Sequence, residues 1–354
     1  MESSPAIVAP TPEPPRVAKV TPRGTSDVVK PSVRLRLPHM RTQISGQRIF
    51  ITGGAGFIGS HFVEALTPAN DVTVFDNHQR DALRDLKERV RVVHGDVLDA
   101  EELAGALRGH DLVIHLAAIA GVRSVGDTVR TMRVNFGGSL NVLEASASAG
   151  VRRCVLFSTS EVYGVCTYGA TEDEPAAIPA PGDGRWAYAA SKLAAEHLAM
   201  GFHRSGKVPC VVVRPFNVYG PRQVGEGAVH DMVAAVVAGH PILVRGDGLQ
   251  IRSWCYVSDL VAGVLGAIEH DAAAGEVLNI GNPVATLNTR MLAETVARAA
   301  GGGVRIEQIP ASGPDVDLRM PSIDKARRLI GFEPTVGLDE GIRRTLEWAR
   351  AVRA

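Results

Sequence analysis

The sequence predicts an α/β fold: a doubly wound parallel sheet covered by helices on both faces, with a smaller α/β lobe towards the C-terminus. Three observations carry this. Short apolar runs alternate with helix-like stretches from Gln47 to Pro215, as strand–helix–strand crossovers require. The first run ends in Gly53-x-x-Gly56-x-x-Gly59, glycines placed where a strand turns into a helix. The alternation then breaks down after Pro215 into glycine-rich loops.

The elements follow in order. Residues 1–44 of the 354-residue chain are rich in proline, carry scattered charge and contain no continuous apolar run. A disordered tail is expected there, and not a secretion signal. Strands are expected over 48–52, 71–76, 90–96, 112–116, 154–158 and 211–215, where β-branched and other apolar residues cluster in short runs. Helices are expected over 60–66, 99–107 and 138–149, between those strands. Further helices are expected over 230–239 and 289–300, in the part of the chain where alternation is lost.

At Gly53, Gly56 and Gly59 the glycines have separate tasks. The first permits a tight turn, the second lets backbone approach a pyrophosphate, and the third lets the helix pack closely on the strand. The helix N-terminus, with Phe57 and Ile58, then faces the phosphates. Glycine triplets also mark plain turns, but here Asp76 ends the next strand, about 20 residues on, where an acid meets the adenosine ribose. A carboxylate there bonds both ribose hydroxyls and repels a 2′-phosphate. With Asn77 and not a basic residue following, the cofactor expected is NAD rather than NADP. Asp96, followed by Val97, ends the third strand, where it either reaches an adenine amino group or caps the strand. Leu116-Ala117-Ala118 is small and apolar, suited to lie against the cofactor or simply to pack.

The expected layout is a Rossmann-type dinucleotide domain over 45–215, with 251–283 returning to it. A substrate-binding lobe is expected from 216–250 and 284–354. Formal net charge is zero, so neither nucleic acid nor a membrane surface is an expected partner. Cys154, Cys166, Cys210 and Cys255 are far apart and form no metal-ligand pattern. Free thiols in a reducing cytoplasm are expected.

Tyr188 and Lys192 are four residues apart, hence on one helix face. A tyrosine is a poor base at its ordinary pKa of ~10. A neighbouring ammonium favours the phenolate and is expected to lower that value. Alone, this pair also describes a half-buried surface contact. Here it follows Ser158-Thr159-Ser160-Glu161-Val162-Tyr163-Gly164 at a strand end, and a hydroxyl from Thr159 can bond a reacting alcohol.

With these motifs the chain resembles the extended short-chain dehydrogenases/reductases that act on nucleotide sugars. The resemblance runs from about Gln47 to about Trp348 and adds His115-Leu116-Ala117-Ala118, Arg214-Pro215-Phe216-Asn217-Val218-Tyr219-Gly220-Pro221-Arg222, and a stretch from Gly246 through Arg252 to Asp259. It implies an NAD enzyme whose cofactor contacts reach Tyr188 and Lys192. It also implies Asn217, Arg222 and Arg252 at the substrate's diphosphate, and a homodimer formed through two helices per subunit. Tyr188 would take the C4 hydroxyl proton as hydride passes to NAD, giving a 4-keto sugar.

Three outcomes share that step: epimerisation, dehydration and decarboxylation. Thr159-Ser160-Glu161 departs from the Thr-Asp-Glu typical of nucleotide-glucose 4,6-dehydratases, where the Asp protonates a departing hydroxyl. It is similar to UDP-glucuronate decarboxylases, as are Arg185-Trp186-x-Tyr188, Asn279 to Pro283 and Arg319-x-Pro321-Ser322-Ile323. That family's decarboxylation arginine maps onto Arg319, leaving Ser160 and Glu161 to orient the carboxylate or a water. The expected function is therefore NAD-dependent UDP-glucuronate decarboxylation, giving a UDP-4-keto-pentose or UDP-xylose. Gly121-Val122-Arg123 instead resembles 4-epimerases, where Arg123 faces a uronate carboxylate or is a solvated loop residue. A non-catalytic sensor of NAD or nucleotide sugar is a further reading, against which the intact Thr159, Tyr188 and Lys192 argue.

Overall fold

A computed structural model describes residues 42–79, 81–120, 126–181, 184–225, 227–311 and 315–353. The expected tail up to residue 41 and Arg123 lie outside the described residues. Residues 42–44 are already part of the packed chain: Ile44 is buried and the Thr42 hydroxyl donates to Glu269 at 2.6 Å.

The strands, in chain order, are β1 (Arg48–Thr52), β2 (Asp71–Asp76), β3 (Arg91–His94), β4 (Leu112–His115), β5 (Arg153–Phe157), β6 (Cys166–Ala170), β7 (Cys210–Pro215) and β8 (Val218–Tyr219). They continue as β9 (Ile242–Arg245), β10 (Ile251–Ser253), β11 (Cys255–Tyr256), β12 (Val277–Ile280), β13 (Thr286–Asn288), β14 (Ile306–Ile309) and β15 (Leu318–Pro321). Seven of them form one parallel sheet in the order β12-β7-β5-β4-β1-β2-β3. A four-stranded sheet, β13-β10-β15-β6, and two parallel pairs, β14-β9 and β11-β8, are separate from it.

The helices that matter here are α1 (Phe57–Leu66), α2 (Ala100–Leu107), α3 (Gly138–Ser148), α4 (Trp186–Arg204) and α5 (Val257–Glu269). The period of two along each central strand divides the core. Ile49, Ile51, Ile114, Val155 and Val213 face α1 and α5 through Phe62, Val63, Leu260 and Val264. Phe50, Val113, Leu156 and Val212 face α2, α3 and α4 through Leu103, Leu107, Val142, Leu143 and Ala195. Strands covered on both sides read as continuous apolar runs, which is why they were legible in the sequence. Strand β6, by contrast, falls inside the region assigned to the dinucleotide domain but pairs with β15. Its Cys-Thr-Tyr-Gly-Ala sequence has no strand-like run to announce it.

Candidate active site

Strand order reverses between β1 and β4, so a crevice opens beyond their C-terminal ends, where open α/β sheets hold ligands. A cleft of about 330 Å³ lies there. It is lined by Gly53, Gly56, Phe57 and Ile58, by Asp76 and Asn77 after β2, by Asp96 and Val97 after β3, and by Leu116, Ala117 and Ala118 after β4. Gly59 does not line it. A Cβ at Gly59 would stand 2.4 Å from the Gly53 carbonyl oxygen, so this glycine serves the packing of α1 onto the turn. Gly53 has φ +72°, and a Cβ there would meet the Ala117 backbone nitrogen at 2.6 Å.

Helix α1 leaves the N–H groups of Phe57 and Ile58 without intrahelical acceptors, and both residues line the crevice. The Asp76 carboxylate accepts from the Ala55 N–H at 3.0 Å and from the His78 N–H at 2.8 Å, one bond to each oxygen. Each oxygen keeps further acceptor capacity.

Helix α4 presents Tyr188 and Lys192 one turn apart. Lys192 is buried, and its ammonium donates to the Phe157 carbonyl at the end of β5, at 2.8 Å. Burial lowers its pKa to about 8, against an upward pull from Glu196. The Tyr188 phenol is raised well above its ordinary value, first by burial and then by the charge of Glu161, while a hydrogen bond with Thr159 pulls it down. A strand-end carbonyl engages the ammonium and burial dominates the phenol's shift, so Tyr188 acts as a base only where positive charge beside it offsets that burial. Thr159 is buried and accepts from the Glu161 N–H at 3.2 Å.

Behind these groups Glu196, one further turn along α4, accepts from the Ser158 hydroxyl. It also receives the Arg214 fork at 2.9 and 2.6 Å. Arg214 in turn donates to the Tyr163 hydroxyl at 2.8 Å. This network ties β5, β7 and α4 together at the sheet's C-terminal edge.

A larger cleft of about 640 Å³ is lined by Glu161, Arg185, Asn217, Arg252, Asp315 and Arg319, among others. Arg252 and Arg319 are register partners on parallel strands β10 and β15, and such partners point to the same face. Arg319 is 3% exposed. It donates to the Gly164 carbonyl at 2.9 Å and to Glu161 Oε1 at 3.3 Å, and its Nε has no hydrogen-bond partner among the described residues. Arg252 donates to Asp315 at 3.0 Å. Its pKa is lowered to about 10 by burial and by the charges of Arg319 and Arg185, against Asp315. Arg185 lies 3.4 Å from Asp315 and 3.9 Å from Glu161. Ser160 is buried at the start of the turn carrying Glu161.

Arg222 is not brought to this cleft. Its guanidinium bonds the Ser60 carbonyl at 3.2 Å and pairs with Glu64, both on α1. Three residues at these sites escaped the sequence reading. Arg185 stands in the sequence only as one position of a motif. Asp315 carried no pattern. Asn135 lies in a π-helical turn, Arg133–Gly137, where its amide exchanges hydrogen bonds with the Ile119 backbone at 2.8 and 3.0 Å and donates to Ser191 at 3.0 Å. Such turns gather at functional sites, but nothing in a single sequence announces one.

Residues 49–281 match the model of the NAD dependent epimerase/dehydratase family. The chain belongs to that family. It is 32% identical over 320 residues to a UDP-N-acetyl-alpha-D-glucosaminuronate decarboxylase of Bacillus cytotoxicus, covering 86% of this chain and 98% of that protein. It is 35% identical to a dTDP-glucose 4,6-dehydratase of Streptomyces niveus, covering 87% and 94%. The fold also matches the crystal structure of a UDP-glucuronic acid 4-epimerase from Bacillus cereus in complex with UDP-glucuronic acid and NAD, with a TM-score of 0.76, 29% identity and coverage of 86% and 99%.

As a member of this family the protein is an NAD-dependent enzyme. The smaller cleft fits the cofactor on its own geometry. A side chain at Gly53 would collide with the Ala117 backbone, the first-turn N–H groups of α1 open onto the crevice, and the Asp76 carboxylate is fixed by backbone with capacity to spare. Among the described residues no helix is long and apolar enough to cross a membrane.

Proposed function

We propose that this family member is a UDP-glucuronate decarboxylase. The observation that carries the reading is the buried Arg319 guanidinium, 3.3 Å from Glu161, beside the turn that also bears Thr159. NAD, when bound, supplies the hydride acceptor. The chain's own groups do the rest. Thr159 bonds the C4 hydroxyl and Tyr188 takes its proton, with Lys192 supporting the transfer. The C6 carboxylate of the resulting 4-keto sugar is β to a ketone. Its C5–C6 bond breaks, carbon dioxide departs and the electron pair becomes an enolate. Arg319 first binds the carboxylate and then stabilises the enolate charge. Ser160 and Glu161 orient the carboxylate or a water that returns a proton to C5. Asn217 and Arg252 hold the diphosphate, with residues from 216–250 and 284–354 enclosing the larger cleft.

Dehydration is disfavoured because Ser160 stands where a dehydratase needs an acid. A 4-epimerase is the second reading, favoured by the solved neighbour that binds UDP-glucuronic acid. Incubation with UDP-glucuronate and NAD, followed by mass spectrometry and proton NMR, separates them. Loss of carbon dioxide supports decarboxylation; unchanged mass with new galacturonate signals overturns it in favour of the epimerase.

We further propose a homodimer. Leu98, Val129, Met132 and Phe136 are exposed apolar side chains on or beside the stretch that leads into α3, and a second copy would cover them. Light scattering tests this; a monomer refutes it. The four unpaired cysteines support a reducing, cytoplasmic setting.

A further inference from the structure

The segment from Asn217 to Arg222 runs from the larger cleft to the dinucleotide helix, and both of its ends are backbone outliers. Asn217 has φ +36° and Arg222 φ +66°. A side chain in this left-handed region is strained and persists only where its surroundings impose it. Each end is held. At Asn217, which lines the cleft, the amide donates to the Ser253 carbonyl at 3.0 Å and the carbonyl accepts from the Cys255 N–H at 3.2 Å. At the other end the Arg222 guanidinium bonds the Ser60 carbonyl and Glu64, with side chains only 11% and 19% exposed. His61 Nε2 lies 2.9 Å from the Pro221 carbonyl, so three contacts within about one turn, at Ser60, His61 and Glu64, fix the segment to α1. Between the ends, β8 pairs with β11, and Gly220 sits so close to Val257 that a Cβ would lie 2.6 Å from its Cγ1. The chain has little room to relax except by release at Arg222.

We propose that Arg222 and Glu64 form a latch that holds this strained segment against α1 and so positions Asn217 in the substrate cleft. Arg222 is thus a positioning residue rather than a ligand of the diphosphate. The inference rests on the reading that the larger cleft takes a UDP-linked sugar. It predicts that cofactor and substrate sites are joined mechanically through the contacts of Pro221 and Arg222 with α1, in which the Arg222–Glu64 pair is the charged member, with the strain borne at a residue where glycine would be the unstrained choice.

The test uses the full-length protein, with UDP and NAD as separate calorimetric probes and hydrogen exchange over residues 217–223 as a probe independent of any ligand. Glu64→Gln should weaken UDP about tenfold, leave NAD affinity within about twofold, and speed exchange at Val218, Tyr219 and Gly220. Adding Arg222→Gly should restore UDP affinity, because glycine adopts the same backbone without needing the hold. UDP affinity unchanged by Glu64→Gln, or UDP and NAD weakened together, overturns the latch; the second result would make the pair a mere support of α1. If the wild-type protein binds no UDP, the reading of the cleft fails. Exchange then still decides the latch, and unchanged exchange in Glu64→Gln overturns it.

Discussion

On the proposed decarboxylase reading, Arg319→Met should separate decarboxylation from the oxidation that precedes it. Methionine keeps most of the apolar stem and removes a guanidinium that is 3% exposed. A carboxylate held ~4 Å from that cation, at an effective dielectric of ~20, gains about 4 kcal/mol. Glu161, 3.3 Å away, shares the cation, so the usable part is smaller. A loss of about 10²–10³ in the decarboxylation rate is expected, in the range found when a donor aimed at developing charge is removed. The fold should survive. Glu161 keeps Arg185 at 3.9 Å, and the Gly164 carbonyl loses one donor, worth about 1 kcal/mol. The assay follows carbon dioxide and UDP-sugar masses together with the absorbance of reduced nicotinamide. Reduced nicotinamide should still form while carbon dioxide release falls. Decarboxylation within about threefold of wild type, or equal loss of both signals, refutes the role given to Arg319.

The other predictions rest on titratable groups in and behind the site. Tyr188→Phe should abolish turnover while calorimetry still finds NAD binding; retained turnover excludes Tyr188 as the base. Lys192 holds its proton more weakly folded, with a pKa of about 8, than unfolded, at ~10.4. The unfolded chain therefore carries more protons between those values, and stability from this group rises with pH across that window and is lowest below pH 8. Lys192→Met should thus be inactive yet about 2 kcal/mol more stable at pH 7, from about 3 for the relieved desolvation less about 1 for the lost bond to Phe157. Urea titrations should show that gain gone by about pH 10; a variant less stable than wild type at pH 7 refutes the account. His61 and His115 are fully buried, with pKa values lowered to about 3 by burial. They stay neutral while the unfolded chain protonates below ~6.5. Their joint contribution to stability should fall by about 2.7 kcal/mol per unit between pH 6 and 4, and His115→Gln should halve that slope in denaturant titrations at fixed pH.

The doubly wound sheet was legible because its strands are apolar on both faces and its first turn needs glycines at fixed spacing. The dinucleotide crevice was legible for the same reason: its residues follow strand ends, and strand ends follow from the pattern. The larger cleft was less so. Arg252 and Arg319 stand far apart in the chain and meet only because β10 and β15 pair in register, a long-range fact that no local period encodes. Arg222 misled because a basic residue in a motif beside Asn217 invites a phosphate, whereas its partner, Glu64, lies on a helix more than a hundred residues earlier. The direction of the Tyr188 shift also depended on packing: spacing puts an ammonium one turn away, but not where that ammonium donates.

The charge pattern of the larger cleft bears on which sugar it takes. Arg185, Arg252 and Arg319 are crowded enough that the first and last depress the pKa of Arg252, and burial opposes the charge on Arg319 as well. Bringing three guanidinium groups together out of water is unfavourable unless anions repay it. Among the described residues, Glu161 and the half-exposed Asp315 pair with them. A nucleotide hexose offers a diphosphate, which suits Arg252 but leaves Arg319 with Glu161 as its ion-pair partner among the described residues. A nucleotide hexuronate offers a second anion, at the far end of the sugar from the diphosphate, and so gives Arg319 a partner of its own. Neutralising Arg319 should therefore narrow the preference for UDP-glucuronate over UDP-glucose in binding as well as in turnover, with UDP-glucose affinity little changed. A uniform loss for both sugars would place Arg319 at the diphosphate instead, and the uronate reading would lose its main support.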